Sequence, residues 1–270
     1  MTSCIICYSP TKPVYNNLFD DRYGAVGKHT IYRCIRCGFG RTIPGLSKAE
    51  IGRFYSKYYP LLSVNPTLLK KSIHIPSRFM LWLKGNDNTA HFHIKPFSTV
   101  LDIGSGSGLS LLEIEKFGGK AYGVEPDPNA QRIAKKLHLT VYQGFITDDP
   151  FPNLKFDYIT ASQVLEHDPT PSSFLIAAKN KLKKNGQIIL GFPNMDALYR
   201  KIFGSRWLHW HVPFHLNFFT QKSITILAKS AGLEIVKIRT ITPNLWTILQ
   251  LRMLFSESRE GKSNSIWVPG

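Results

Sequence analysis

Four cysteines stand in two pairs, Cys4-Ile-Ile-Cys7 and Cys34-Ile-Arg-Cys37, with 26 residues between them. A Cys-x-x-Cys pair turns two thiolates toward one metal, and two such pairs close a tetrahedral zinc site. Gly38 follows the second pair, where a tight knuckle favours a residue free to take positive φ. Four thiolates leave no open coordination position, so zinc here would be structural. A disulfide framework would instead need an oxidising compartment.

A second constellation is Asp102-Ile-Gly104-Ser105-Gly106-Ser107-Gly108. Its glycines let the backbone turn sharply beneath a ligand, where a side chain would block the approach. Glu125 closes the next apolar run and is followed by Pro126. An acid in that place can accept hydrogen bonds from both hydroxyls of a ribose. The pattern is not a dinucleotide fingerprint. That motif needs glycine where Leu109 stands, and Asp102 would repel a pyrophosphate while suiting an ammonium group.

A third set comprises Glu166-His167 and the run His209-x-His211-x-x-x-His215. Histidine is the side chain best matched to proton transfer near neutral pH. His167 is the candidate general base, or the group that orients it, with His215 as second candidate. Glu166 would orient His167 or bind a substrate hydroxyl. The histidine run also admits a metal reading, without a carboxylate inside it.

These residues need elements to position them. Residues 99–104 are a short apolar run suited to a buried parallel strand, and 109–117 read as the helix after it. Further strands are expected over 120–124, 140–143, 156–160, 186–192 and 233–239, with helices over 128–137 and 172–182. Alternation of this kind implies an α/β, doubly wound, Rossmann-like sheet with its ligand across the carboxyl strand ends. Gln163 falls at the end of the fourth strand. A seventh strand is indistinct: residues 265–268 are a poor candidate, and 245–255 look helical. Ahead of the sheet, strand-like residues 28–34 fit a small zinc ribbon. Ser47-Lys-Ala-Glu50 is a capping box opening a helix. It carries Tyr55, Tyr58 and Tyr59 and stops at Pro60, and Tyr55 and Tyr59 share a face as packing groups or as a lid. Residues 85–89 are a loop, and His91-x-His93 alone is a weak metal signal. The expected division is a zinc-binding module over 1–46, a helical connector or lid over 47–95, and the sheet domain over 96–270.

Composition bounds the partners. The 270 residues are 43% apolar and 19% charged, enough for a packed core, with a formal net charge of +16. Residues 1–95 hold 14 Lys+Arg against 4 Asp+Glu. That surplus suits polyanions such as RNA, phosphate-bearing substrates or an anionic membrane face, or simply a solvated surface. Met1-Thr2-Ser3-Cys4 opens no apolar leader, and no run approaches the ~20 apolar residues of a membrane span. A cytoplasmic protein is the expectation.

Asp102-x-Gly104-x-Gly106-x-Gly108 with Glu125 resembles the class I S-adenosylmethionine-dependent methyltransferases. The paired cysteines, the Tyr-rich connector, Glu166-His167 and the segment Trp207…Pro213-Phe-His-Leu-Asn-Phe218-Phe-Thr220 resemble a zinc-headed subgroup from sugar and polysaccharide pathways. The resemblance covers roughly residues 1–240 and lacks the further C-terminal domain of the larger sugar C-methyltransferases. It implies that Asp102, Gly104, Ser105, Gly106 and Gly108 line the methionine part of the cofactor and that Glu125 and Pro126 flank the ribose. It further implies that Phe145 stacks on adenine and that Gln163 lies near the sulfonium. Trp207, Trp210, Phe214 and Phe218 would roof the pocket or stack on a sugar or base. The expected activity is methyl transfer to a small molecule: a sugar, nucleotide-sugar or glycan intermediate. The alternative is an RNA base methyltransferase, which the net charge suits, although no RNA-binding module or Asn-Pro-Pro-Tyr-type motif is present. A noncatalytic zinc-dependent binding module is the third class.

Overall fold

The computed structural model describes residues 2–58, 65–71, 73, 77–84, 89–264 and 266–267. Tyr59, Pro60, residues 85–88, Ser265 and Val268 lie outside the described residues. The chain forms two compact units: Met1–Ile51 with Glu166–Ser172 and Phe192–Gly270, and Gly52–Leu165 with Ser173–Gly191.

The first unit contains β1 (Thr11–Leu18), β2 (His29–Cys34) and β3 (Gly40–Ile43), and the start of α1 (Lys48–Tyr58). Ser47 and Glu50 form the expected cap, with the Ser47 N–H donating to Glu50 Oε2 at 2.9 Å.

The second unit contains the short helices α2 (Pro66–Lys71) and α3 (Arg78–Lys84). Its centre is a five-stranded sheet of β4 (Thr99–Ile103), β5 (Lys120–Glu125), β6 (Val141–Gln143), β7 (Phe156–Ser162) and β8 (Leu182–Gly191). The strands run parallel in the order β6-β5-β4-β7-β8. Helices α4 (Leu109–Lys116), α5 (Pro128–Leu137) and α6 (Pro171–Asn180) alternate with them. The order reverses beside β4, so the carboxyl end of β4 is the topological switch point of the sheet. β4 suits its central place by burying Val100, Leu101 and Ile103. α5 shows Ala130, Ile133, Ala134 and Leu137 to the core at helical spacing, and Asp127 caps it by accepting the N–H of Asn129 at 2.8 Å.

The first unit continues with α7 (Leu198–Phe203), β9 (Asn217–Phe218), α8 (Gln221–Ser230) and α9 (Asn244–Phe255). β9 pairs antiparallel with β3 through Gly40–Phe218 and Arg41–Asn217. Leu18 and Ile31 share one core with Met195, Trp207, Trp210, Val212 and Phe218. The expected division at residues 46 and 95 therefore does not follow the compact units. The aromatic segment 207–218 completes the N-terminal sheet and its core, whereas chain order attaches it to the sheet domain. The sixth strand expected over 233–239 is a second difference, since residues 233–242 have no regular structure. Val236 is 82% exposed there, and a strand without a ladder partner leaves its backbone groups to water. Among the described residues no helix is long and apolar enough to cross a membrane.

Candidate functional site

In the second unit the chain leaves β4 through three glycines in the left-handed region: Gly104 at φ +71°, Gly106 at +50° and Gly108 at +81°. They are glycines for different reasons. A Cβ at Gly104 would overlap Val164 Cγ2, and one at Gly108 would crowd Leu139 Cδ1. A Cβ at Gly106 would meet nothing within 4 Å. The open space that a ligand could fill is thus at Gly106.

Glu125, buried at the end of β5, accepts the N–H of Gly106 through Oε2 and the N–H of Asp127 through Oε1, both at 3.0 Å. Burial pushes its carboxyl up to about 7, helped by the charges of Asp127 and Asp102. Ser105 Oγ is buried with no hydrogen-bond partner among the described residues. Its oxygen packs against β5, 2.6 Å from where a Cβ on Gly123 would stand. Pro126 is half-buried between Glu125 and the α5 cap.

Asp102 faces the protein. Its two oxygens accept the hydroxyls of Ser110 and Thr160, each at 2.5 Å. Burial raises its carboxyl above the ordinary range, against the pull of His91 and these hydroxyls. A carboxylate has about four lone-pair sites, so two such bonds do not exhaust it. Phe145 is half-buried after β6, and its N–H donates to Asp148 at 2.8 Å. Asp149 pairs with Lys181 at 2.6 Å. Gln163 holds φ +58° with its N–H on Gly191 O at 2.7 Å, an uncommon conformation for a side-chain-bearing residue. His91 pairs with Glu113 at 2.7 Å, which accounts for it without a metal.

In the first unit the cysteines converge. Their sulfurs lie within 4.8 Å of one another, with Cys4–Cys37 at 3.6 Å and Cys7–Cys34 at 3.4 Å. Sulfurs on a tetrahedral zinc, at bonds of about 2.3 Å, stand roughly 3.8 Å apart, so the donor set fits that ion. The knuckle amides of Ile6 and Arg36 donate to Cys4 and Cys34 sulfurs at 3.4 Å. Gly38 takes φ +74°.

The same unit gathers Glu166, His167 and His215, with one ligand atom of each within 4.8 Å of the others. The His167 and His215 rings meet edge to face at 4.6 Å between centroids, and His211 lies 4.9 Å from His215. The Nδ1–H of His167 donates to Phe214 O at 2.9 Å and that of His215 to His209 O at 2.8 Å, which puts each lone pair on Nε2. Neither carboxylate oxygen of Glu166 has a hydrogen-bond partner among the described residues. Burial pushes Glu166 up to about 8 and His167 down to about 4. His211 and His215 fall well below the ordinary range for the same reason. At pH 7 this is a neutral cluster: a protonated carboxyl beside unprotonated imidazoles.

Sequence reasoning did not find Ser110 or Thr160. Thr160 opposes Asp102 only through the register of β4 on β7. The spacing of His211 and His215 was visible; the approach of His215 to Glu166 and His167 was not, and Thr42, whose hydroxyl donates to His215 O at 2.6 Å, comes from a distant strand.

A family model described as a methyltransferase domain matches residues 76–238. The ubiquinone biosynthesis O-methyltransferase of Cupriavidus pinatubonensis is 24% identical over 223 residues, covering 77% of this chain and 80% of that protein. The mitochondrial ubiquinone biosynthesis O-methyltransferase of Schizosaccharomyces pombe is 31% identical over 110 residues, or 37% of this chain and 40% of that protein. An uncharacterized protein of Methanocaldococcus jannaschii is 27% identical over 51% of this chain and 65% of its own length. The match thus spans less than two thirds of these last two relatives. Among solved structures, the [4+2]-cyclase SpnF aligns with a TM-score of 0.55 at 17% identity, covering 78% of this chain and 82% of that one. That likeness shows the fold alone.

Proposed function

From the premise that the chain belongs to the methyltransferase-domain family and is an S-adenosylmethionine-dependent methyltransferase, we propose that it methylates a small molecule: a sugar, nucleotide-sugar or glycan intermediate. The observation that carries cofactor binding is the open position at Gly106, whose N–H the Glu125 carboxylate holds. When bound, S-adenosylmethionine supplies an electrophilic methyl group for in-line displacement. Glu125 holds the ribose hydroxyls, Gly104, Ser105, Gly106 and Gly108 with Asp102 and Pro126 shape the cradle, Phe145 covers the adenine and Gln163 stands at the sulfonium side. The zinc reading assigns Cys4, Cys7, Cys34 and Cys37 to one structural ion.

Acceptor chemistry falls to His167, with Glu166 and His215 as its partners. A neutral imidazole takes a proton, but burial makes His167 a weak base. It suits an acceptor whose proton leaves as the new bond forms rather than before. Oxygen acceptors fit that demand, and the ubiquinone relatives are O-methyltransferases by name. A phosphate-bearing substrate would use the +16 net charge.

Incubating the protein with methyl-labelled cofactor and separate metabolite and RNA fractions tests this. Label is expected in the metabolite fraction. His167→Ala is expected to lose about 10²–10⁴-fold in turnover with cofactor affinity nearly intact. Label confined to RNA overturns the substrate class, and an unchanged rate in His167→Ala removes that residue from the chemistry.

A further inference from the structure

Helix α9 is buried on one side and exposes apolar side chains on the opposite one. Gln250 and Met253 are buried on one. Leu245, Ile248, Leu251 and Phe255 recur every three or four residues on the other and are 47–88% exposed. Helix α7 adds Leu198 and Ile202, which are 66% and 60% exposed. The hydroxyls of Tyr199 and Thr247, 3.0 Å apart, join the two helices beside these stripes. Isolated apolar side chains on a surface need no explanation, but six on two joined helices mark a face that something covers.

The charge around them selects the occupant. The two helices carry Arg200, Lys201 and Arg252 and no Asp or Glu. A second copy would bring one +16 chain against another, with no acid on either helix to meet the cations. An anionic lipid surface complements both features. Apolar side chains enter the boundary between headgroups and acyl chains, while Lys and Arg meet the lipid phosphates. With 12 residues α9 is far shorter than the ~20 that cross a bilayer, so it would lie in the plane of the interface.

We propose that α7 and α9 form a face that docks this protein on anionic lipid bilayers.

Sedimentation of the full chain with vesicles tests it, using phosphatidylcholine alone and an equal mixture with phosphatidylglycerol. The chain should sediment with the mixed vesicles, less so at high salt. Ile248→Asp/Phe255→Asp should weaken binding at least tenfold. Lys201→Glu/Arg252→Glu, which leaves the apolar stripe untouched, should weaken it too. All four positions are exposed, and unchanged thermal midpoints and cofactor affinity in both variants show that the fold is kept. A chain that stays in the supernatant overturns the proposal. So does equal binding to both vesicle types that neither variant affects. A dimer in light scattering that Ile248→Asp/Phe255→Asp converts to a monomer assigns the face to a second copy instead.

Discussion

Glu125 Oε2 accepts the backbone N–H of Gly106 at 3.0 Å. The acid at the end of one strand therefore grips the apex of the glycine turn that leaves its neighbour. The ionised form is the better acceptor for that amide and for ribose hydroxyls. Burial sets its midpoint at about 7. Cofactor affinity should therefore be greatest above pH 8 and fall as pH drops through 7. In Glu125→Gln the affinity should be weaker and flat over the same range. Calorimetric titrations at several pH values read this, and a wild-type affinity independent of pH counts against the role of the carboxylate.

The three glycines should respond differently to alanine. Gly106→Ala meets open space, so its fold cost is the left-handed backbone alone, about 1–2 kcal/mol. Its main effect should be weakened cofactor binding. Gly104→Ala adds a clash with Val164 and should lower the thermal midpoint further. If Gly106→Ala binds cofactor normally, the ligand does not approach that backbone.

Purified without added metal, the chain should carry one zinc. Cys34→Ser/Cys37→Ser should lose it and destabilise the unit of β1–β3, while cofactor affinity partly survives. Metal analysis showing no zinc, or zinc retained in that variant, contradicts the assignment of Cys4, Cys7, Cys34 and Cys37.

Glu166 gives a stability prediction with a definite sign. Its carboxyl sits at about 8 in the folded chain, against an ordinary 4.5. The folded state holds the proton more tightly, so Glu166 costs stability progressively as pH rises from about 4.5 to about 8. Glu166→Gln removes that cost. Its thermal midpoint should match wild type near pH 4.5 and exceed it at pH 8 by at least about 4 °C, the scale of 1–2 kcal/mol in a chain of this size. Equal midpoints at pH 8 would show that Glu166 has a partner in solution.

The parallel sheet was legible because β4, β5 and β7 are short apolar runs each followed by a helix, with a start signal such as Asp127-Pro128 for α5. The cysteine and glycine constellations were legible because local spacing determines them. Two things were not. The partnership of Trp207 and Phe218 with Leu18 and Ile31 spans almost two hundred residues and leaves no periodic trace. The hydroxyls on Asp102 depend on strand register and on one turn of α4, neither of which composition reveals. The expected strand over 233–239 failed for a related reason. Its apolar residues fit a strand, but pairing needs a neighbour that sequence does not supply.

The most direct test is calorimetric titration of the full chain with S-adenosylmethionine and, separately, with NAD. One S-adenosylmethionine should bind per chain, with no comparable affinity for NAD. Glu125→Ala, which removes charge-assisted hydrogen bonds worth about 1.5–3 kcal/mol each, should weaken binding at least tenfold. A preference for NAD would contradict the cofactor assignment, and an unchanged dissociation constant in Glu125→Ala would contradict the site.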